Sequence, residues 1–118
     1  MQNDVSFAGR HLLLELWEAK GLDQVPLVEQ ALKDAVTACG ATLLELRLHT
    51  FSPTGGISGV AIVSESHISI HTWPEWGYAA LDVFLCGTCN PQDAIPVFKK
   101  AFQPGRIQMM ESVRGIHS

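Results

Sequence analysis

The chain has no run of basic residues and little excess charge of either sign. Eight Lys and Arg against twelve Asp and Glu give a net charge of -4 over 118 residues, and charges of both signs are scattered along the sequence. Proteins that bind nucleic acids normally carry a cluster of positive charge that neutralises phosphates. We therefore expect no nucleic-acid partner.

Long apolar runs and an export signal are also missing. The longest apolar stretches, such as 12–14, are far shorter than the roughly 20 residues that span a bilayer. The N-terminus lacks a charged segment followed by an apolar one. We expect a cytoplasmic protein with no membrane partner. Its three cysteines should then be free thiols, because disulfides are rare in reducing compartments.

The residues that are present predict one small domain spanning 1–118. Hydrophobic residues make up 47% of the chain, which is enough for one core and leaves room for an apolar subunit interface. The apolar spacing predicts a strand, a helix, four strands, a helix and a strand. This order favours an α+β two-layer sandwich, with a largely antiparallel sheet and both helices on one face. The strands are expected at 11–17, 44–48, 57–63, 68–72, 78–85 and 107–113.

Local signals predict the ends of both helices. Asp23 is expected to cap the first helix, and Gly40 is expected to end it. Asn90 and Pro91 open the second helix. Because Pro96 lacks an amide hydrogen, we expect either an irregular first turn there or a helix that starts near Ala94.

Reactive side chains are concentrated between positions 55 and 87. In the strand predicted at 68–72, the two isoleucines should face one way, and His67, Ser69 and His71 should face the other. Such a polar surface is either a solvated sheet face or the wall of a cleft. Spacing alone does not decide between these two interpretations.

The run ESHISIHTWPE, from Glu65 to Glu75, resembles the bacterial and archaeal S-adenosylmethionine decarboxylases. The segments GYAA at 77–80 and FLCG at 84–87 are similar to the same family at the matching downstream spacing. A weaker likeness extends from Gly9 to Gly115. Eleven consecutive residues with matching downstream segments are a far more specific signal than a three-residue motif.

The resemblance implies a proenzyme that cleaves itself into 1–65 and 66–118. The Ser66 hydroxyl would attack the carbonyl carbon of Glu65, convert the amide into an ester and then leave by elimination, so that Ser66 becomes a pyruvoyl group. By the same resemblance, His71 and Ser58 assist this processing.

The scissile bond has a geometric requirement of its own. Ser66 and His71 are five residues apart and would point to opposite faces of a flat strand. We therefore expect the Glu65–Ser66 bond to lie at a bend or turn rather than within regular strand pairing.

The resemblance also implies the reaction and its participants. The pyruvoyl group would be the cofactor, would form a Schiff base with the amine of S-adenosylmethionine and would accept the electron pair left by carbon dioxide. Cys86 matches the proton donor of the family. Phe51 and Trp73 would offer aromatic faces to adenine and the sulfonium, and Glu75 would bind ribose hydroxyls. The product would supply aminopropyl groups for spermidine synthesis. A homodimer with active sites near the subunit interface is implied as well.

Other interpretations stay open at this stage. Pyruvoyl decarboxylases of arginine or ornithine share this architecture, and a small dimeric protein that binds a metabolite without cleaving itself fits the composition. Cys86 and Cys89 form a CxxC between a strand and a helix, as in thioredoxin-like redox sites. Three of the candidate site residues also have structural explanations. Phe51 could belong to the core, Ser58 could be an ordinary serine at the start of a strand, and Cys86 could be a small buried hydrophobic residue. We expect no metal, because no second pair of ligands has zinc spacing.

Overall fold

A computed structural model describes residues 6–117. Within this range six strands form one sheet, on which two helices pack, and the predicted order of elements is confirmed. The bounds are β1 Gly9–Trp17, α1 Val25–Ala38, β2 Leu43–Thr50, β3 Ile57–Val63, β4 Ser66–Trp73, β5 Tyr78–Cys86, α2 Ile95–Phe102 and β6 Arg106–Arg114. Two short 3₁₀ turns, Pro74–Trp76 and Pro91–Ala94, flank β5 and its following loop.

The strands lie in the order β2-β3-β4-β5-β1-β6, and every neighbouring pair is antiparallel. The predicted antiparallel sheet is therefore confirmed. Strand β1 lies between β5 and β6, so the first strand is paired with the last two strands. Since β3 and β4 are consecutive and tightly connected, they form a hairpin near the other edge.

One face of the sheet and both helices share a single core, as predicted. Alternate residues of β1 point into it, so that Leu12, Leu14 and Leu16 are buried. Phe98 and Phe102 of α2 are also fully buried, with their ring centroids 6.4 Å apart. Among residues 6–117, no helix combines the length and apolarity needed to cross a membrane.

Within residues 6–117, the second face of the sheet carries no helix, and we call it the open face. It mixes apolar with charged and polar side chains, and several of its large apolar residues are exposed, including Leu13, Ile62 and Met110. By strand register, the open face contains His11, Leu13, Glu15, Ser58, Val60, Ile62, His67, Ser69, His71, Ala80, Asp82, Phe84 and Met110.

The beginning of α1 differs from the prediction. The helix starts at Val25, the residue before it is Gln24, and no side chain caps its amides. The Asp23 carboxylate instead accepts a hydrogen bond from Gln24 Nε2 at 3.1 Å. The predicted Asp23 cap is wrong because this residue lies one position before the helix boundary.

The other helix signals are confirmed. Gly40, with φ +73°, follows the last turn of α1. The 3₁₀ turn Pro91–Ala94 precedes α2 and provides the irregular first turn that Pro96 requires. The Asn90 side chain accepts a hydrogen bond from the Gln92 amide at 3.0 Å and so stabilises this turn.

Candidate active site

The Glu65–Ser66 bond lies at the tip of the β3–β4 hairpin. Val63 pairs with Ser66, so Ser64 and Glu65 form the two-residue turn between the strands. Glu65 has φ +67°, a left-handed conformation that costs a residue with a Cβ about 1 kcal/mol or more. The prediction that this bond lies at a turn is confirmed, and its carbonyl belongs to a strained residue.

Ser66 and Cys86 approach the same backbone oxygen. Ser66 Oγ lies 3.5 Å from the Ser64 carbonyl oxygen, and Cys86 Sγ lies 3.9 Å from it. Cys86 is half-buried at the end of β5, so it is not the fully enclosed hydrophobe that the alternative interpretation required. We call this group, Ser64 to Ser66 with Cys86, the hairpin end.

Ser58 and His71 form a hydrogen-bonded pair on the open face. They are direct neighbours across β3 and β4, and Ser58 Oγ lies 2.8 Å from His71 Nδ1. The imidazole is exposed. An imidazole exchanges protons near neutral pH, and a hydroxyl on Nδ1 fixes the orientation of its ring.

The predicted substrate-binding residues lie beside this pair. Phe51, Trp73 and Glu75 line one pocket of about 330 Å³ together with Ser58 and His71, a size that falls in the range of small-molecule sites. Phe51 is 48% exposed, which excludes the core position considered for it. We call this group the pocket end.

Main-chain hydrogen bonds close the loop that carries Phe51, and its ring contacts a side chain of β2. The Phe51 amide donates to the Gly56 carbonyl and the Gly55 amide donates to the Phe51 carbonyl, both at 2.8 Å. The His49 ring meets the Phe51 ring edge to face at 4.6 Å between centroids. His49 was not singled out from the sequence, because its proximity depends on the bend after β2.

One chain does not bring the two ends together. Ser66 and His71 lie at opposite ends of β4, and five residues of extended strand span about 16 Å. Direct proton transfer requires donor and acceptor within hydrogen-bond distance, about 3 Å. The His71 of a chain therefore cannot exchange a proton directly with the Ser66 of the same chain in this conformation.

A polar row crosses the open face between the two ends. Ser69 Oγ donates to Asp82 Oδ2 at 3.3 Å, and the other Asp82 oxygen lies 3.7 Å from His11 Nε2. Farther along the face, the Tyr78 hydroxyl donates to the Glu15 carboxylate. Burial, and then Glu15, raise the pKa of Tyr78 to about 12. Tyr78 thus stays protonated at neutral pH.

Comparison with known proteins identifies the family of this site. A sequence model described as S-adenosylmethionine decarboxylase matches residues 10–115, which is nearly the whole chain. The chain belongs to the S-adenosylmethionine decarboxylase family. The resemblance of the 65–75 run and its downstream segments to this family is therefore confirmed.

Individual decarboxylases of the family are similar over most of their length. The S-adenosylmethionine decarboxylase proenzyme of Thermomicrobium roseum is 51% identical over 109 residues, which cover 92% of this chain and 94% of the relative. A proenzyme of the same name from Methanococcus maripaludis is 55% identical over 111 residues, covering 92% and 90%. The crystal structure of the adenosylmethionine decarboxylase from Aquifex aeolicus VF5 superposes with a TM-score of 0.87 at 32% identity, covering 96% of this chain and 95% of that one.

The geometry also bears on the thiol and metal alternatives to a decarboxylase. Cys89 packs against the core, whereas Cys86 lies beside the hairpin, so the two thiols of the CxxC occupy different surroundings. Within residues 6–117, no cluster of three or more His, Cys, Asp or Glu side chains is arranged to hold a metal ion.

Proposed function

We propose that the chain is a proenzyme that cleaves itself between Glu65 and Ser66 and then decarboxylates S-adenosylmethionine. The observation that carries the proposal is the position of this bond at a strained hairpin tip, with Cys86 beside it, in a member of this family. The product would serve as an aminopropyl donor for polyamine synthesis. Arginine and ornithine are less favoured as substrates, since the family and both relatives are named for S-adenosylmethionine.

Self-cleavage uses the Ser66 hydroxyl twice. Its oxygen attacks the Glu65 carbonyl carbon, and the Glu65–Ser66 amide becomes an ester as the amine of Ser66 is freed. A base, which we propose is the His71 imidazole, then removes the α-proton of Ser66, and the Cβ–O bond breaks with release of the Glu65 carboxylate. The remaining dehydroalanine tautomerises to an imine, and water hydrolyses it to a pyruvoyl group and ammonia.

Position 66 is suited to carry this group. It becomes the first residue of the second piece, at an accessible hairpin tip, and the Cys86 thiol lies close to it. The pyruvoyl group supplies a ketone that reacts with the substrate amine and a neighbouring carbonyl that withdraws the electron pair released with carbon dioxide. The Cys86 thiol then gives its proton to the carbon that has lost carbon dioxide.

The pocket end supplies the contacts that the substrate needs. Phe51 and Trp73 present aromatic faces to the adenine ring and the sulfonium cation, whose charge is attracted by the π-electrons. The Glu75 carboxylate accepts hydrogen bonds from two ribose hydroxyls. Trp73 is itself braced by the parallel Trp76 ring, 6.1 Å away between centroids.

We also propose that the active form is a homodimer in which each site combines the hairpin end of one copy with the pocket end of the other. Separation of the ends by about 16 Å within a chain supports this arrangement. In an isologous dimer of facing sheets, a two-fold axis that lies between the sheets, perpendicular to β4 and level with its middle, places each end of β4 opposite the other end of the partner's β4.

The open face supplies most of the area that such an interface needs. Six strands about 4.8 Å apart and about eight residues long present roughly 600 Å², while a stable interface buries about 800 Å² per partner. The exposed apolar residues of this face, Leu13, Ile62 and Met110, would be removed from water. Neighbouring loops would add the remaining area.

Mass spectrometry of the denatured protein tests the cleavage. We expect the purified chain to yield pieces 1–65 and 66–118, the second blocked at its N-terminus and reactive toward borohydride in the presence of an amine. Ser66→Ala removes the nucleophile and should stay whole, whereas Ser64→Ala in the same turn should still cleave. Cleavage of Ser66→Ala at the same bond would overturn the mechanism.

A separate assay tests the substrate. The cleaved protein should release carbon dioxide from carboxyl-labelled S-adenosylmethionine and much less from arginine or ornithine at equal concentration. Faster release from either of these amino acids would overturn the substrate assignment without affecting the cleavage result.

A further inference from the structure

Thr72 is a buried polar residue that the proposed mechanism does not use. Thr72 is only 6% exposed, and its hydroxyl both donates and accepts a hydrogen bond. Thr72 Oγ1 donates to the Leu22 carbonyl at 2.9 Å and accepts from the Ile57 amide at 2.8 Å. A buried hydroxyl with two main-chain partners fixes the positions of both segments.

The two segments adjoin the Ser58–His71 pair. Thr72 follows His71 on β4, and Ile57 precedes Ser58 on β3. Ser58 and His71 form the last main-chain pair of the β3–β4 ladder at this end. One residue farther on, the Ile57 amide meets the Thr72 side chain rather than a carbonyl of β4.

The end of the ladder is also tightly packed. A Cβ on Gly56 would stand 2.9 Å from the Thr72 carbonyl oxygen, so the loop that carries Phe51 passes directly against β4. The Thr72 hydroxyl thus terminates the ladder at the point where the strands separate and the pocket opens.

We propose that Thr72 is a positioning residue that sets the contact between Ser58 Oγ and His71 Nδ1. The inference rests on the proposed function, because its consequence is read in self-cleavage. Without the hydroxyl, the buried Ile57 amide and Leu22 carbonyl lose their partner. The strands can regain hydrogen bonds only by shifting, which alters the neighbouring 2.8 Å contact and leaves the imidazole poorly placed for elimination.

Two substitutions separate the hydroxyl from the shape of the side chain. Thr72→Val keeps the shape and removes the hydroxyl, and we expect it to slow self-cleavage tenfold or more in a time course of intact masses. The hydrogen bonds lost in this variant are each worth roughly a factor of ten. Thr72→Ser keeps the hydroxyl and both hydrogen bonds, so it should cleave within about threefold of the parent rate.

The chemical state of the uncleaved chain distinguishes positioning from general destabilisation. If elimination is the impaired step, Thr72→Val should accumulate the ester between Glu65 and the Ser66 oxygen. Hydroxylamine attacks an ester carbonyl and releases the alcohol, so treatment should give a piece 1–65 ending in a hydroxamate and a piece beginning with an intact Ser66. His71→Ala should give the same products.

Each outcome has a defined meaning. Cleavage of Thr72→Val at the parent rate, or slow cleavage without hydroxylamine-sensitive chains, would overturn the positioning role. If the valine variant does not fold, Thr72→Cys, with its weaker hydrogen bonds, should accumulate a smaller fraction of ester, and absence of ester there would also overturn the role. Failure of the proposed function is recognised separately, because the unaltered chain would then stay whole.

Discussion

At the scale of single residues, the proposed proton-donor role of Cys86 can be tested by a substitution that leaves the core of the protein intact. It is half-buried at the end of β5 and approaches the hairpin turn rather than the core. Cys89, three residues later, packs against the core. The two thiols therefore offer a matched pair of substitutions within one short segment.

Cys86→Ala should cleave itself at least in part but turn over poorly. Removal of a positioned proton donor typically costs a factor of about 10² to 10⁴, and we expect the loss in kcat for S-adenosylmethionine decarboxylation, measured on material that mass spectrometry shows to be fully cleaved. Cys89→Ala should retain turnover close to the parent. Full activity of Cys86→Ala would remove its role, and a comparable loss in Cys89→Ala would favour a paired-thiol function.

Residue faces could be predicted from the sequence, but contacts between distant residues could not. The alternation in β4 correctly assigned His67, Ser69 and His71 to one face, and the requirement for a turn at Glu65 followed from the same alternation. The Ser58–His71 hydrogen bond depends on how β3 and β4 align. Likewise, nothing local marked Thr72 as the residue that ends this ladder.

At the scale of elements, the end of α1 contains a titratable group. Cys39 follows the last helical residue and is 5% exposed. Burial, and after it the charges of Asp93 and Cys89, raise the pKa of Cys39 from 9.0 to about 11. The thiol therefore stays protonated in the folded chain at pH values where it ionises in the unfolded chain.

The free energy of unfolding should fall as pH rises from 9 to about 11. In this window the unfolded state has released the Cys39 proton and the folded state still holds it, so the unfolded state is favoured by increasing pH. Urea titrations of uncleaved Ser66→Ala at several pH values should show this decline, and adding Cys39→Ala should flatten it below pH 10. Tyr78, whose pKa is raised from 10.0 to about 12 in the folded chain, adds to the decline in stability above pH 10. An unchanged slope without Cys39 would contradict the assignment.

The type and order of the elements followed from apolar periodicity, whereas their arrangement in the sheet did not. Alternating or continuous apolar runs marked all six strands. By contrast, the insertion of β1 between β5 and β6 joins segments that are far apart in the chain, and no local signal specifies such pairing. The error at Asp23 was of another kind. The preference of certain residue types for the N-cap position does not fix the first residue of a helix to within one position.

At the scale of the whole molecule, cleavage at Glu65 would divide the sheet without separating its parts. The first piece contains β1, α1, β2 and β3, and the second contains β4, β5, α2 and β6. Strand β1 is paired on both sides with strands of the second piece, and β3 is paired with β4. The two pieces are thus interleaved, and strand pairing and the common core would hold them together after the bond is broken.

The proposed exchange of ends between two copies can be tested by complementation. Ser66→Ala lacks the nucleophile but keeps His71, and His71→Ala lacks the imidazole but keeps Ser66. Alone, neither should form pieces 1–65 and 66–118 efficiently. When the two variants are expressed together, random pairing makes about half of the dimers mixed. Each mixed dimer contains one complete site, with Ser66 from one chain and His71 from the other.

Cleavage should therefore reappear in the mixture, only in the chain that carries His71→Ala, and in about half of its copies if pairing is random. Denaturing mass spectrometry distinguishes the chains by their masses, and native mass spectrometry measures the mixed dimer directly. Mixed dimers without cleavage would show that each chain must use its own His71. The β4 strand would then have to bend sharply to bring its two ends together, in conflict with the continuous pairing of β4 with β3 and β5.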